Sequence, residues 1–311
     1  MSLSEANRKY FDSISDAYDN KPWFTKVNQQ VTEELQARLE WIGIPLVNTG
    51  SPTDVKEVKF LDYACGPGLM SRIFGPYVTV TKGIDISPNM VATYNARART
   101  AGLPVFSINA VMGDLFNKNE APSSEISGSE FRNFDLVAVG FGFHHFEDVV
   151  HAARCLKERL RPGGVLVIND FLEGGDLKAD EHGNPIAGTE GDHAHHHHHP
   201  GHHRQSHHHG HDGIKSEKCD PATHTHANVK QEWDDVSSSR EVKEQMKDSI
   251  AVYSFTVDGV KKFFTEAGFV DVDVAVMPER VYMQFGGRKI WRTILFAKGR
   301  KPLETEAKSE L

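Results

Sequence analysis

The sequence predicts an α/β fold, a mostly parallel sheet wrapped by helices, and three observations carry that prediction. Apolar runs of strand length alternate with helically periodic segments from Val58 to Asp170. The first run, Val58-Lys59-Phe60-Leu61-Asp62-Tyr63, passes through Ala64-Cys65-Gly66-Pro67-Gly68 and resumes as the start of a helix. Phe134–Gly140 is apolar without alternation, as expected of a central strand buried on both faces.

The chain is read as one large domain with decorations. Residues 1–50 form a helical cap and 51–175 the core, and 176–239 are a low-complexity insert; 240–299 complete the core before a loose tail over 300–311. A formal net charge of −8 argues against a broad nucleic-acid or anionic-membrane footprint. The cysteines, Cys65, Cys155 and Cys219, form no CxxC pair, so neither a disulfide framework nor a cysteine-based zinc cluster is indicated. There is no apolar run of membrane-spanning length and no signal-peptide pattern near Met1, and the expected location is the cytosol or nucleus.

In order, Tyr10, Phe11, Ile14 and Tyr18 recur at helical spacing, and Val27, Val31, Leu35, Leu39 and Ile42 form the stripe of a second helix over 26–42. Gly43, Pro45, Gly50 and Pro52 then break the chain. The glycine turn follows. Gly66 and Gly68 allow positive φ and close approach of a ligand, the next helix points free N–H groups at the same place, and Asp62 stands where a cationic amino group can be held. Tyr77–Ile86 reads as strand two. It brings Asp85 to a position suited to the two hydroxyls of a ribose, about 20 residues past the turn.

Ser87-Pro88 caps a helix over 88–101, and Pro104–Val111 reads as strand three, followed by Met112-Gly113-Asp114-Leu115. Residues 117–132 read as a surface loop. Strand four runs into Phe141-Gly142-Phe143-His144-His145-Phe146, which places these residues at the ligand-binding end of the sheet. A helix carrying Val149, Ala153, Leu156 and Leu160 stops at Arg161-Pro162-Gly163-Gly164. Strand five, Val165–Asp170, then brings Asn169, Asp170 and Phe171 to the pocket mouth. After the insert come a helix over 240–250, a helix opened by Thr256, a strand over 270–277 and a last strand over 289–298.

Asp62-x-Ala64-Cys65-Gly66-Pro67-Gly68 resembles the first motif of class I S-adenosylmethionine-dependent methyltransferases, with Ala64 replacing the first glycine. Phe-His-His-Phe after strand four is similar to the fourth motif of the type 11 small-molecule enzymes, and Phe11–Asp19 to the opening segment of the quinone-biosynthesis type. The resemblance implies a Rossmann-like seven-stranded sheet of order 3-2-1-4-5-7-6, with strand seven antiparallel. It implies S-adenosyl-L-methionine as cofactor, cradled by Asp62, Ala64, Cys65, Gly66 and Gly68. Asp85 takes the ribose and Ile86 and Met90 flank the adenine. Asp114 and the Leu115 N–H reach the adenine edge, Gly140 and Phe141 complete the wall, and Phe11 and Tyr18 act as a lid.

The expected chemistry is in-line methyl transfer, driven by proximity and alignment, to a small, partly apolar acceptor at oxygen or carbon. His145 is the first candidate base and His144 the second, with Asp170 and Tyr253 as acceptor contacts. Phe141, Phe143, Phe146 and Phe171 are expected to supply an apolar wall. The rival reading keeps the fold as a regulatory subunit working through a protein partner or homodimer, as some fungal developmental regulators that resemble this family do. A nicotinamide-dependent oxidoreductase is disfavoured because the full G-x-G-x-x-G is absent.

Fifteen of the 18 histidines lie between His182 and His226, among Gly, Asp, Ser and Thr. No packed core can be built from that composition, so a disordered linker is expected. Zinc, nickel or copper binding there is the secondary expectation, adventitious or regulatory, and no metal is assigned to the site itself.

Overall fold

The structure, a computed structural model, describes residues 2–15, 18, 21–50, 57–105, 107–193, 240–285 and 288–305. The His-rich tract over 194–239 lies outside the described residues.

Seven strands form the main sheet: β1 (Lys59–Tyr63), β2 (Val80–Asp85), β3 (Ile108–Met112), β4 (Phe134–Gly140), β5 (Leu160–Phe171), β7 (Val270–Val276) and β10 (Ile294–Arg300). Their order is β3-β2-β1-β4-β5-β10-β7. The first five pair in parallel, and β10 lies antiparallel to both β5 and β7. With β7 as strand six and β10 as strand seven, this is the order 3-2-1-4-5-7-6 expected from the sequence. The strand order reverses between β1 and β4, so the carboxyl ends of β1, β2 and β4 open onto one crevice.

Both faces of the sheet are covered. On one, α2 (Pro22–Gln36) and α4 (Leu69–Phe74) bury Val31, Leu35, Ile73 and Phe74 against Phe60 and Leu136. On the other, α7 (Val149–Arg159) and α9 (Val257–Glu266) bury Leu156, Val260 and Phe264 against Leu61, Val137 and Leu166. Burying side chains of this size contributes about 1.5–3 kcal/mol each. The capping residues read from sequence act as such: Ser87 Oγ accepts the Met90 N–H at 3.1 Å and Thr256 Oγ1 that of Gly259 at 2.9 Å.

Several elements differ from expectation. The stripe over 26–42 is two helices, α2 and α3 (Leu39–Ile42), because Arg38 leaves helical geometry at φ −123°. β3 begins at Ile108 and not at Pro104, since Ser107 and Ile108 N–H groups bond back to the Pro104 carbonyl in a turn. Residues 117–132 are not merely a surface loop. They hold α6 (Ser124–Ser127) and bury Ile126 and Phe131, whose carbonyls accept from the buried Arg159 guanidinium at 2.8 and 3.3 Å.

The last strand is interrupted at Thr293. Its first half is β9 (Arg288–Arg292), which leaves the main sheet to join a second one of order β6-β9-β8, with β6 (Leu177–Lys178) and β8 (Val281–Phe285). Residues 176–193, read from sequence as the start of the insert, pack here. Asp176 is buried and holds Arg292 Nε at 3.1 Å, and Gly191 bridges back to Asp176. The remaining helices, α1 (Leu3–Ile14), α5 (Pro88–Thr100) and α8 (Arg240–Asp248), meet around Tyr10, Ile14 and Met90. Among the described residues, no helix is long and apolar enough to cross a membrane.

Candidate active site

β1 delivers the chain into the glycine turn, where Ala64, Gly66 and Gly68 adopt φ of 53°, 46° and 93°. A Cβ on Gly68 would stand 3.1 Å from the Tyr94 ring, so the residue is fixed by packing. A Cβ on Gly66 would meet nothing within 4 Å, so this backbone is open to a ligand.

Asp62 is buried beneath the turn and does not reach the cavity wall. Its Oδ2 accepts from the Ser71 N–H at 2.9 Å and Ser71 Oγ at 2.7 Å, which ties the strand to α4. Burial raises its pKa to about 7, and Oδ1 has no partner among the described residues. Cys65 is likewise turned inward, packed on Tyr94 and Ala110 with its thiol pushed well up by burial.

Asp85 closes the turn from β2. Its Oδ2 accepts the Gly66 N–H at 2.7 Å and its Oδ1 that of Ser87 at 2.9 Å. Burial raises this carboxyl to about 6 against those bonds. Each oxygen keeps a second lone pair, so vicinal hydroxyls can still be accepted.

A cavity of about 930 Å³ lies over this turn. Ala64, Gly66, Asp85, Ile86, Met90 and Asp114 line it from the ends of β1, β2 and β3, Gly140 and Phe141 from the end of β4, and Phe11, Tyr18 and His145 complete the wall. Gly68, Asp62, Cys65 and Leu115 stand behind the wall. The expected reach of the Leu115 N–H to an adenine ring is not found: that N–H donates to the Tyr63 hydroxyl at 3.1 Å, because Tyr63 is buried directly below it. Asp114 accepts from Ser4 Oγ at 2.9 Å and the Phe116 N–H at 2.8 Å, so α1 is fastened across the cavity.

A second, smaller cavity of about 110 Å³ adjoins the first, sharing Phe11, Tyr18, Phe141 and His145 with it. Tyr253 and Phe171 line it. Phe146 faces the larger cavity, but Phe143 is fully buried against Phe263 and reaches neither, a correction to the expected wall. Asn169 and Asp170 are also fully buried rather than at the mouth, because β5 continues past them to Phe171.

The two histidines take different partners. Asp170 holds His144 twice, Oδ1 at 2.9 Å from its Nδ1 and Oδ2 accepting its backbone N–H at 3.1 Å. The His144 carbonyl accepts from Ala251 and Val252. His145 Nδ1 lies 2.6 Å from the Ser249 carbonyl, and since a carbonyl only accepts, Nδ1 carries the hydrogen and Nε2 a lone pair. Burial and the adjacent His144 ring, 4.0 Å away between centroids, hold the His145 pKa well below 6.5. His145 is therefore neutral at pH 7, at the junction of the two cavities.

Sequence reasoning missed the pieces that arrive from distant segments. Asn7 Nδ2 donates to the His145 carbonyl at 3.0 Å, and Asp12 Oδ1 accepts from Ser87 Oγ at 2.5 Å. Met283, Arg288, Ile290 and Arg292 of the second sheet line the smaller cavity. The alternation over 288–292 signals a strand, but nothing local says which surface it covers.

An open parallel sheet with a glycine turn, an acidic residue ending β2 and an antiparallel penultimate strand defines the class I methyltransferase architecture. The chain belongs to the methyltransferase-domain family, whose profile matches residues 30–211. It is 33% identical over 130 residues to an uncharacterized methyltransferase of Schizosaccharomyces pombe (41% of this chain, 42% of the relative). It is 34% identical over 116 residues to demethylmenaquinone methyltransferase of Staphylococcus aureus (36% of this chain, 42% of the relative). The matches thus span about two fifths of the length of these curated relatives. Among solved structures, phosphoethanolamine N-methyltransferase 2 of Haemonchus contortus, in complex with S-adenosyl-L-methionine, is similar at TM-score 0.45 and 13% identity, covering 87% of this chain and 52% of that one.

Among the described residues no group of three or more His, Cys, Asp or Glu is placed to hold a metal ion.

Proposed function

We propose that the protein transfers a methyl group from S-adenosyl-L-methionine to the oxygen or carbon of a small, partly apolar acceptor. The observation that carries this reading is the pair of adjoining cavities, with His145 on the wall of both. The larger one fits the cofactor: Gly66 leaves space where a side chain would stand, and Asp85 can accept vicinal hydroxyls. Asp114, Ile86 and Met90 would hold the base, Phe11 and Tyr18 cover it, and Asp62 acts by holding α4 in place. The bound cofactor supplies an electrophilic methyl group on a sulfonium.

The protein's own residues align and exclude water. Phe141, Phe171 and Tyr253 seat the acceptor, and the roof of α1 closes the site. Where the acceptor is a hydroxyl, His145 Nε2 would take its proton as the oxygen accepts the methyl group that the cofactor would supply. His145 is oriented for this by Ser249 and is neutral at pH 7. His144, itself on the wall of the smaller cavity, is held from behind by Asp170.

Calorimetric titration of S-adenosyl-L-methionine tests the reading, with chelator present and with NAD and the Asp85→Ala variant as controls. Micromolar binding lost in the variant is expected. An absence of binding, or equal binding of NAD, refutes the cofactor assignment.

A further inference from the structure

The smaller cavity has one sign of charge. Its wall is mostly aromatic and aliphatic, yet among the described residues it carries Lys247, Arg288 and Arg292 and no acidic side chain. This occurs in a chain whose formal net charge is −8, so a random sample of its surface would favour carboxylates. We propose that the acceptor is a small aromatic acid, bound with its ring among the phenylalanines and its acid group toward these cations. The proposal rests on the reading of this cavity as the acceptor site.

Arg292 is the anchor. It is buried, lies over the Phe171 ring with Cζ 3.6 Å from the centroid, and spends Nε on Asp176 and one Nη2 hydrogen on the Tyr253 carbonyl at 3.0 Å. A guanidinium has five N–H groups in a planar fork, so donors remain on the side away from Asp176. Three carboxylates balance it: Asp176 and Asp170, buried behind the wall with Asp170 engaged with His144, and the half-buried Asp192. None of the three lines the cavity.

Arg288 lies four residues before Arg292 on the same face of β9, with Ile290 between them, and its Nη1 donates to the His193 carbonyl at 2.8 Å. Lys247 is exposed at the end of α8 and forms part of the rim. Burial lowers the pKa of Arg292, which marks a site where the charged form gains from an anion brought beside it. The ring has a matching place. Phe141 and Phe171, with ring centroids 5.2 Å apart at 30°, line the same cavity as His145.

The test is a charge series of one shape. 4-Hydroxyphenylacetate, its primary amide and 4-hydroxyphenethylamine are titrated into the full chain, alone and in the presence of S-adenosylhomocysteine. The acid is expected to bind at least about tenfold tighter than the amide, as a desolvated charge-assisted contact gives, and the amine weakest. Equal affinities, a preference for the amine, or no binding of the acid at millimolar concentration overturns the proposal.

Arg292→Gln would leave Asp176 buried without its partner, so the informative variant is Lys247→Gln with Arg288→Gln. It is expected to shrink the acid-to-amide ratio severalfold while the affinity for the amide holds, and an unchanged ratio overturns the role of these two cations. Titration of S-adenosylhomocysteine by itself reports separately on the cofactor assignment, so that failure of one reading is distinguishable from failure of the other.

Discussion

The buried carboxyl of Asp85 makes cofactor binding depend on acidity in a way that can be worked out. In the ligand-free protein its pKa is about 6, raised by burial from the usual 3.8 even though two backbone N–H groups bond to it. A ligand diol that donates two hydroxyls needs the carboxylate and disfavours its protonated form. Protons therefore compete with the ligand, and acid weakens binding. With a free-state value near 6 and the carboxylate kept ionised in the complex down to pH 5, affinity falls about tenfold between pH 7 and pH 5, or ~1.4 kcal/mol.

Stability of the ligand-free protein moves the other way. The folded state binds the extra proton between about 3.8 and about 6, so this group's contribution declines as pH rises through that window. The assay is titration of S-adenosylhomocysteine at pH 5, 6, 7 and 8, repeated with Asp85→Asn. Asp62 also titrates high, at about 7, but sits behind the turn, and the variant removes only the Asp85 part of the slope. Affinity that is flat with pH in the parent protein, or a slope as steep in Asp85→Asn as in the parent, refutes the reasoning.

Two further substitutions probe the scaffold. Gly68→Ala puts a side chain at φ +93° with its Cβ 3.1 Å from the Tyr94 ring, and is expected to cost about 1–3 kcal/mol, read as a lowered urea midpoint with unchanged slope. Asp12→Ala removes the acceptor of Ser87 Oγ at the far end of α1, and is expected to weaken S-adenosylhomocysteine binding about fivefold while the fold is retained, since one net hydrogen bond is at stake. A midpoint unchanged in the first, or an affinity unchanged in the second, contradicts the roles assigned here.

The sheet was legible because its signals are local and its order follows from the family pattern. Val58–Gly68 announces strand, turn and helix within eleven residues, and Phe134–Gly140 has the composition only a doubly covered strand tolerates. The larger cavity was legible for the same reason, since its floor is made of turns that each end a readable strand. Leu115 was misread because the partner of its N–H, the Tyr63 hydroxyl, is set by tertiary packing across 52 positions of sequence. Phe143 was misread because a loop aromatic beside a ligand site is indistinguishable in sequence from one turned into the core. The break at Thr293 was missed because Lys289–Lys298 alternates well enough to be one strand, and only the pairing of β9 with β6 and β8 divides it.

The cap explains why the site could not be assembled from the core alone. α1 fastens to Ser87 beyond the end of β2 through Asp12, to Asp114 after β3 through Ser4, and to the His145 carbonyl after β4 through Asn7. The same helix therefore spans the segment that accepts a ribose and the segment that carries the candidate base. Segment 249–252, following α8, fixes the histidine pair from the opposite side through the Ser249 carbonyl and the Ala251 and Val252 N–H groups. These polar attachments add to the apolar cluster of Tyr10, Ile14 and Met90, with Phe11, Tyr18 and Met246 packed against it, so the roof is held by packing as well as by hydrogen bonds. A site with a rigid sheet as floor and a helix pinned across it as roof excludes water from the space between them. That is the physical requirement of a transfer in which a reactive methyl group must meet its acceptor before it meets solvent.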